Sequence, residues 1–220
     1  TFNSEITEVA PDIEGYTQVN PEETITITTG TNEIIFYYKK IEGLSYTVKF
    51  VEKDTEIDVS LPKVVDGKIF GEVVNEAAID IEGYEKVDPI NKTITIGMNE
   101  NIITFYYIKR DDLEYVVNYI DVENGEYIED SKVVENQIYL DEITETAIEI
   151  DGYDKQEPTE QTIVIDVNGN EINFYYTKRT DLSYKVNYLE KDTNNVLYEV
   201  KEVANQTYLD EITETAIEID

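Results

Sequence analysis

The chain contains no cysteine and no histidine among its 220 residues. Without cysteine there are no disulfides, no thiolate metal sites and no cysteine nucleophile. Without histidine the commonest general acid–base group is gone. Carboxylates are abundant everywhere, so their proximity to one another is not specific to a site, and catalysis has little to work with. The absence of cysteine suits an intracellular protein and a cysteine-avoiding surface protein alike. Bases are scarce, 17 against 49 acids, and the formal net charge is −32. Such a field repels nucleic acid and anionic membranes, which excludes both as partners. No apolar run reaches the roughly 18 residues of a membrane span. The chain opens on Thr1 and carries no signal peptide. It is therefore expected to be a piece of a longer protein, and missing targeting signals say nothing about location.

What is present argues against disorder: 40% apolar residues, 18 tyrosines and clear strand periodicity. The stretch Glu33-Ile34-Ile35-Phe36-Tyr37-Tyr38 returns around Phe105 and again around Phe174, at a spacing of 69 residues each time. A fixed period of this size marks a tandem array. Within each copy the alternation is that of a half-buried strand. Ile34, Phe36 and Tyr38 share one face, as do Ile103, Phe105, Tyr107 and Ile172, Phe174, Tyr176, and that face is the expected core. Tyr37, Tyr106 and Tyr175 point the other way.

The period organises the rest of the chain. Each complete copy opens on an alternating strand, Tyr46-Thr47-Val48-Lys49-Phe50 in one and Tyr115-Val116-Val117-Asn118-Tyr119 in the next, with Tyr184 to Tyr188 beginning a third. A turn follows, then a second strand near Lys63-Val64-Val65, Lys132-Val133-Val134 and Lys201-Glu202-Val203. Gly71–Ile79, Asp141–Ile150 and Asp210–Ile219 are expected to form a short helix or an irregular turn, with an acidic first turn in the helical reading. Gly15-Tyr16, Gly83-Tyr84 and Gly152-Tyr153 read as backbone turns followed by a packing tyrosine. Pro21, Pro89 and Pro158 mark loops or edges. Thr24–Ile27, Thr93–Ile96 and Thr162–Ile165 are β-branched strands. The Gly/Asn turns after them are expected to make hairpins with the Phe-Tyr-Tyr strands. The short basic connections Lys39-Lys40, Lys109-Arg110 and Lys178-Arg179 are expected to pair with acids of the next repeat, at roughly 0–1 kcal/mol per exposed pair. The domain plan is 1–40 (second half of a repeat), 41–110 and 111–179 (complete repeats) and 180–220 (first half of a repeat).

These motifs together, Tyr-x-Val-x-Tyr/Phe, Lys-Val-Val, Ile-x-Gly-Tyr and Ile-x-Phe-Tyr-Tyr, resemble the MucBP (mucin-binding protein) repeat of Gram-positive surface proteins over essentially the whole chain. The resemblance implies a mainly β module, with α+β possible, of β-grasp (ubiquitin-like) type and about 69 residues, set in an elongated array. It implies a non-enzymatic extracellular role at the cell surface or cell wall: a stalk, an adhesin module for host mucin or glycoprotein, or both. The alternative is a surface fibre whose repeats supply only length and stiffness, with neighbouring repeats or like chains as its partners. The near identity of Gln137–Ile143 to Gln206–Ile212 suits duplication for length and favours the stalk or fibre.

Three features carry candidate chemistry. Tyr37, Tyr106 and Tyr175 are the ligand-binding candidates, because aromatic faces stack on sugars, with cross-strand packing as the plain reading. Asp121, Glu123 and Glu126 place oxygens as hard-cation loops do and are a candidate Ca²⁺ site, with a solvated turn as the plain reading. No other cofactor is expected. Lys63, Lys132 and Lys201 recur at one position, as isopeptide crosslinks would need. Asn118 and Asn187 give way to Lys49 in the third copy, which leaves ordinary strand polars as the plain reading there.

Overall fold

The computed structural model describes residues 2–219, all of them strand, turn or irregular, with no helix among the described residues. The fold is mainly β. The chain divides into two compact units, Thr1–Lys109 and Arg110–Asp220.

The first unit begins with β1 (Glu5–Val9), β2 (Tyr16–Gln18), β3 (Glu22–Thr26) and β4 (Tyr38–Lys40). β1 pairs antiparallel with β3, and β2 with β4. There follow β5 (Leu44–Glu52), β6 (Asp58–Lys68), β7 (Val73–Ala77), β8 (Tyr84–Val87), β9 (Asn91–Thr95) and β10 (Ile102–Lys109). They form a four-stranded sheet in the order β6-β5-β10-β8 and a separate two-stranded ribbon, β7-β9. The central pair β5–β10 is parallel, and its flanking pairs are antiparallel.

The second unit repeats this plan. Its strands are β11 (Leu113–Asp121), β12 (Lys132–Gln137), β13 (Glu142–Thr146), β14 (Tyr153–Lys155), β15 (Glu160–Val164) and β16 (Glu171–Lys178). The sheet order is β12-β11-β16-β14, beside a ribbon of β13-β15. A last pair, β17 (Leu182–Val186) with β18 (Lys201–Gln206), closes the unit.

The ribbon covers one face of each sheet, and the core lies between them. In the first unit Tyr46, Val48 and Phe50 of β5 and Ile103, Phe105 and Tyr107 of β10 meet Val74 and Ile96 from the ribbon side. In the second, Tyr115, Val117, Tyr119, Ile172, Phe174 and Tyr176 meet Ile143, Ile163 and Ile165. Alternation places these side chains on one face of each strand. The third residue of Phe-Tyr-Tyr is tyrosine rather than phenylalanine because its hydroxyl has a buried partner. Tyr107 donates to the Ile79 carbonyl and Tyr176 to that of Ile148, both at 2.9 Å. In residues 31–38 the same pattern stays only half-buried. Among the described residues no strand equivalent to β5 lies beside it.

Two expectations need correction. The segments read as a short helix or irregular turn are strands where they are regular, namely β7 and β13; Asp210–Ile219 has no regular structure. Thr and Ile at alternate positions favour the pleat. Ile143 faces Ile163 across the ribbon, and the Thr144 and Thr162 hydroxyls bond at 2.8 Å. The expected hairpins also fail, because β9 pairs with β7 and β15 with β13, not with the strands that follow them. The Gly/Asn turn instead carries the chain from ribbon to sheet. Asn101 closes it by accepting from the Gly97 N–H at 2.8 Å and donating to the Gly97 and Ser45 carbonyls. Asn170 does the same at Asp166 and Glu114.

In the connections, each arginine clamps an acid two residues on. Arg110 holds both oxygens of Asp112 at 2.8 and 2.9 Å, and Arg179 holds Asp181 in the same way. The flat guanidinium fork favours this bidentate geometry. These clamps lie inside the connection, where the sequence reading expected pairs with the following repeat.

Candidate functional site

The most developed site lies at the end of the second sheet. Asp121 is the last residue of β11 and Lys178 the last of β16. Beyond Asp121 the chain makes a tight turn. The Gly125 N–H bonds the Asp121 carbonyl at 2.8 Å, and Gly125 takes a φ of +72°. Asn124 accepts from the Glu126 N–H and donates to its carboxylate. The turn folds Asp121 inward until it is 1% exposed. Its Oδ1 accepts from the Glu123 N–H at 2.9 Å. Its Oδ2 has no hydrogen-bond partner among the described residues. The Lys178 ammonium stands 3.7 Å from Asp121 Oδ2 and 3.7 Å from a Glu123 oxygen, too far for a hydrogen bond to either.

These groups face a cavity of about 440 Å³ whose walls also include Tyr127, Glu129, Asp151, Tyr153 and Tyr208. The Tyr153 and Tyr208 rings meet edge to face, centroids 5.6 Å apart. Burial and then the Asp121 charge push the Tyr153 hydroxyl above its ordinary value, against a smaller opposing effect of Lys178. The hydroxyl therefore stays protonated and able to donate.

The Tyr208 ring is held by a joint. Gly152, at φ +82°, lies directly beneath it: a Cβ there would fall 2.5 Å from ring carbons. The Arg179 N–H bonds the Gly152 carbonyl and the Tyr208 N–H bonds the Arg179 carbonyl, each at 2.9 Å. The first unit has the same joint. Gly15, also at φ +82°, lies under Phe70, with a Cβ position 2.2 Å from the ring, and Tyr16 meets Phe70 edge to face at 5.8 Å. The bonds Ile41 N–H to Gly15 carbonyl and Phe70 N–H to Ile41 carbonyl complete it. Glycine is required here twice over, for positive φ and for the close approach. The sequence marks Gly-Tyr as a turn but does not reveal the ring, which is more than 50 residues further on.

A second recurring cluster joins each ribbon to its sheet. The Tyr46 hydroxyl donates to Glu76 at 2.5 Å and Lys63 donates to the same oxygen at 2.7 Å. Tyr115, Glu145 and Lys132 repeat this with both bonds at 2.5 Å. Tyr184, Glu214 and Lys201 form the third copy. The hydrogen bond to Glu76, with burial second, pushes Tyr46 to about 12. Burial, with the bond to Glu145 second, pushes Tyr115 to about 12. Bonds from Lys63 and Tyr46 lower Glu76. Burial alone would raise Glu145, but the bonds from Lys132 and Tyr115 outweigh it and the net shift is downward. Each cluster is thus fixed as carboxylate, ammonium and neutral phenol near pH 7. That makes it a latch and not an acid–base pair. The recurring lysines are committed to glutamates here, not to asparagines.

The residues singled out in the sequence are placed as follows. Tyr37 is 67% exposed and Tyr175 45%. Tyr106 is half-buried, with the Lys92 ammonium 5.5 Å from its ring centroid. Each lies outside the Asp121 cavity, on its own sheet or strand approach. Of Asp121, Glu123 and Glu126, the structure brings the first and last to the cavity wall. No group of three or more acidic side chains arranged for a metal ion occurs among the described residues. No helix is long and apolar enough to cross a membrane.

No family model and no curated protein matches the chain. Among solved structures it is similar to the type 2 repeat of the mucus binding protein MUB from Lactobacillus reuteri. The similarity has 13% identity and a TM-score of 0.23, and covers 61% of this chain and 99% of that one. At that identity and score, fold and function rest on this chain's own residues.

Proposed function

We propose that the chain is a non-enzymatic tandem-repeat segment of a bacterial surface protein, a stalk whose repeats also present adhesive surface to mucin-type glycoproteins. The observation that carries the stalk is the joint. In both units a glycine lies beneath an aromatic ring contributed by the following segment, and the same two backbone hydrogen bonds hold it. A connector built twice to one pattern suits a chain extended by adding units, each stabilised by its neighbour. The adhesive part rests on exposed aromatic surface at Tyr37 and Tyr175, on the half-buried Tyr106, and on the MucBP-like motifs. A Gram-positive cell wall is the setting those motifs suggest.

The test is retention of the full chain on immobilised mucin at two salt concentrations. Saturable retention is expected, falling when Tyr106 and Tyr175 are replaced by serine with the melting temperature unchanged. The second reading, a spacer with no ligand, is favoured by the near identity of Gln137–Ile143 and Gln206–Ile212. A folded chain that passes unretained establishes that reading and removes the adhesive one.

A further inference from the structure

We infer that the cavity beside Asp121 is a binding site for a neutral sugar, a pyranose whose hydroxyl bridges Asp121 and Lys178. This deepens the adhesive reading and rests on it for its biological setting. The argument starts from the Asp121 carboxylate. It is 1% exposed, and Oδ2 faces the cavity without a hydrogen bond among the described residues. A buried carboxylate oxygen left unmade is costly, so the site favours a ligand that brings a donor. Lys178 is near enough to balance the charge but, at 3.7 Å, not to bond.

A hydroxyl closes that gap, because it donates through its hydrogen and accepts through its lone pairs. One hydroxyl oxygen about 2.8 Å from both atoms satisfies Oδ2 and Nζ at once. Other ligand classes fit less well. A hard cation needs six to eight oxygens, and the Lys178 ammonium already stands between Asp121 and Glu123. An anion meets four carboxylates on the wall (Asp121, Glu126, Glu129 and Asp151) against one ammonium. A wholly apolar ligand would seal Oδ2 without a partner. A pyranose offers several hydroxyls and a C–H face, and the edge-to-face rings of Tyr153 and Tyr208 provide an apolar wall for that face. The volume of about 440 Å³ lies within the roughly 300–1,000 Å³ of small-ligand sites.

The site belongs to the second unit's sheet. In the first, Glu52 stands where Asp121 does, and its carboxylate accepts from the Thr55 hydroxyl at 2.6 Å. The pattern of acids also sets selectivity, for neutral hexoses or N-acetylhexosamines and against sialic or uronic acids.

The test is saturation-transfer NMR and titration of the full chain with methyl galactoside, N-acetylgalactosamine and sialic acid, alongside retention on immobilised mucin. Expected are saturable binding of a neutral sugar, at least tenfold weaker binding of sialic acid, and about tenfold loss with Asp121→Asn or Lys178→Gln in chains of wild-type melting temperature. Sialic acid binding as tightly as the neutral sugars, or neutral binding untouched by both variants, overturns the site. Mucin retention without Asp121-dependent sugar binding overturns the site and leaves the adhesive reading. Asp121-dependent sugar binding without mucin retention keeps the site and removes that reading. Neither binding removes both.

Discussion

The sheets of residues 44–109 and 113–178 share strand order and register, but they finish their opening strands differently. In the first, β6 runs from Asp58 to Lys68 and, through bulges, pairs as far as Ser60 with Phe50 and Asp58 with Val51. In the second, β12 covers only Lys132–Gln137, and a single bridge, Ile120 to Tyr127, stands in for the lost pairing. A polar network anchors the intervening loop. Asn118 is buried, donates to Asn173 at 2.9 Å and accepts from Ser131 at 2.7 Å. The equivalent position in the first sheet is Lys49, which is exposed. One scaffold thus tolerates two ways of ending a strand, provided the loop's polar groups are satisfied. The looser ending is the one that opens a cavity.

The largest expected effects test whether the two cores are equivalent. Phe105→Ala and Phe174→Ala, each at a fully buried ring, should each cost about 3–5 kcal/mol in denaturant titration of the full chain. Hydrogen exchange should show protection lost in the mutated sheet; loss spreading evenly through both would break the comparison. Next come the glycines. Gly152→Ala combines left-handed strain with overlap of the Tyr208 ring and should cost about 3 kcal/mol. Gly125→Ala has the same strain in open space and should cost about 1–2 kcal/mol. Equal losses would mean the ring simply moves aside. Asn118→Val strands Asn173 and Ser131 and should cost about 1–3 kcal/mol, whereas Lys49→Val should stay within about 0.5 kcal/mol.

The smallest effects come from the latches, which should behave alike in both sheets. Glu76 and Glu145 are lowered on folding, so their contribution is complete above the ordinary carboxylate range and is lost as pH falls through the lowered folded values. Tyr46 and Tyr115 are raised to about 12, so theirs is complete below the ordinary phenol value and is lost as pH climbs towards 12. Tyr46→Phe and Tyr115→Phe should each cost about 1 kcal/mol at neutral pH and flatten the alkaline limb of melting temperature against pH. A variant that leaves that limb unchanged would show its latch to be unimportant.

Much of the sheet is legible in the sequence, because strand burial is written at period two: Tyr46-Val48-Phe50 and Ile103-Phe105-Tyr107 identify their own faces. The ribbon is less so. Glu142-Ile143-Thr144-Glu145-Thr146 is too short and too acidic for periodicity to separate strand from helix, and only its partner at Gln161–Ile163 decides. Pairing order is not legible at all. Thr93–Ile96 lies next to the Phe-Tyr-Tyr strand in sequence yet pairs with Val73–Ala77, since covering the core outweighs the short connection. At the site, the turn after Asp121 was visible as alternating oxygens. That Asp121 turns inward towards Lys178 depends on residues far apart in the chain, as does the meeting of Tyr153 with Tyr208.

The joint has an evolutionary corollary. Its glycine sits late in one copy and its ring early in the folded order of the next, so each copy carries one half of the connector at either side of its core. Unequal recombination between copies in phase therefore regenerates a working connector wherever the crossover falls. Lineages could change copy number in one genetic step without redesigning an interface.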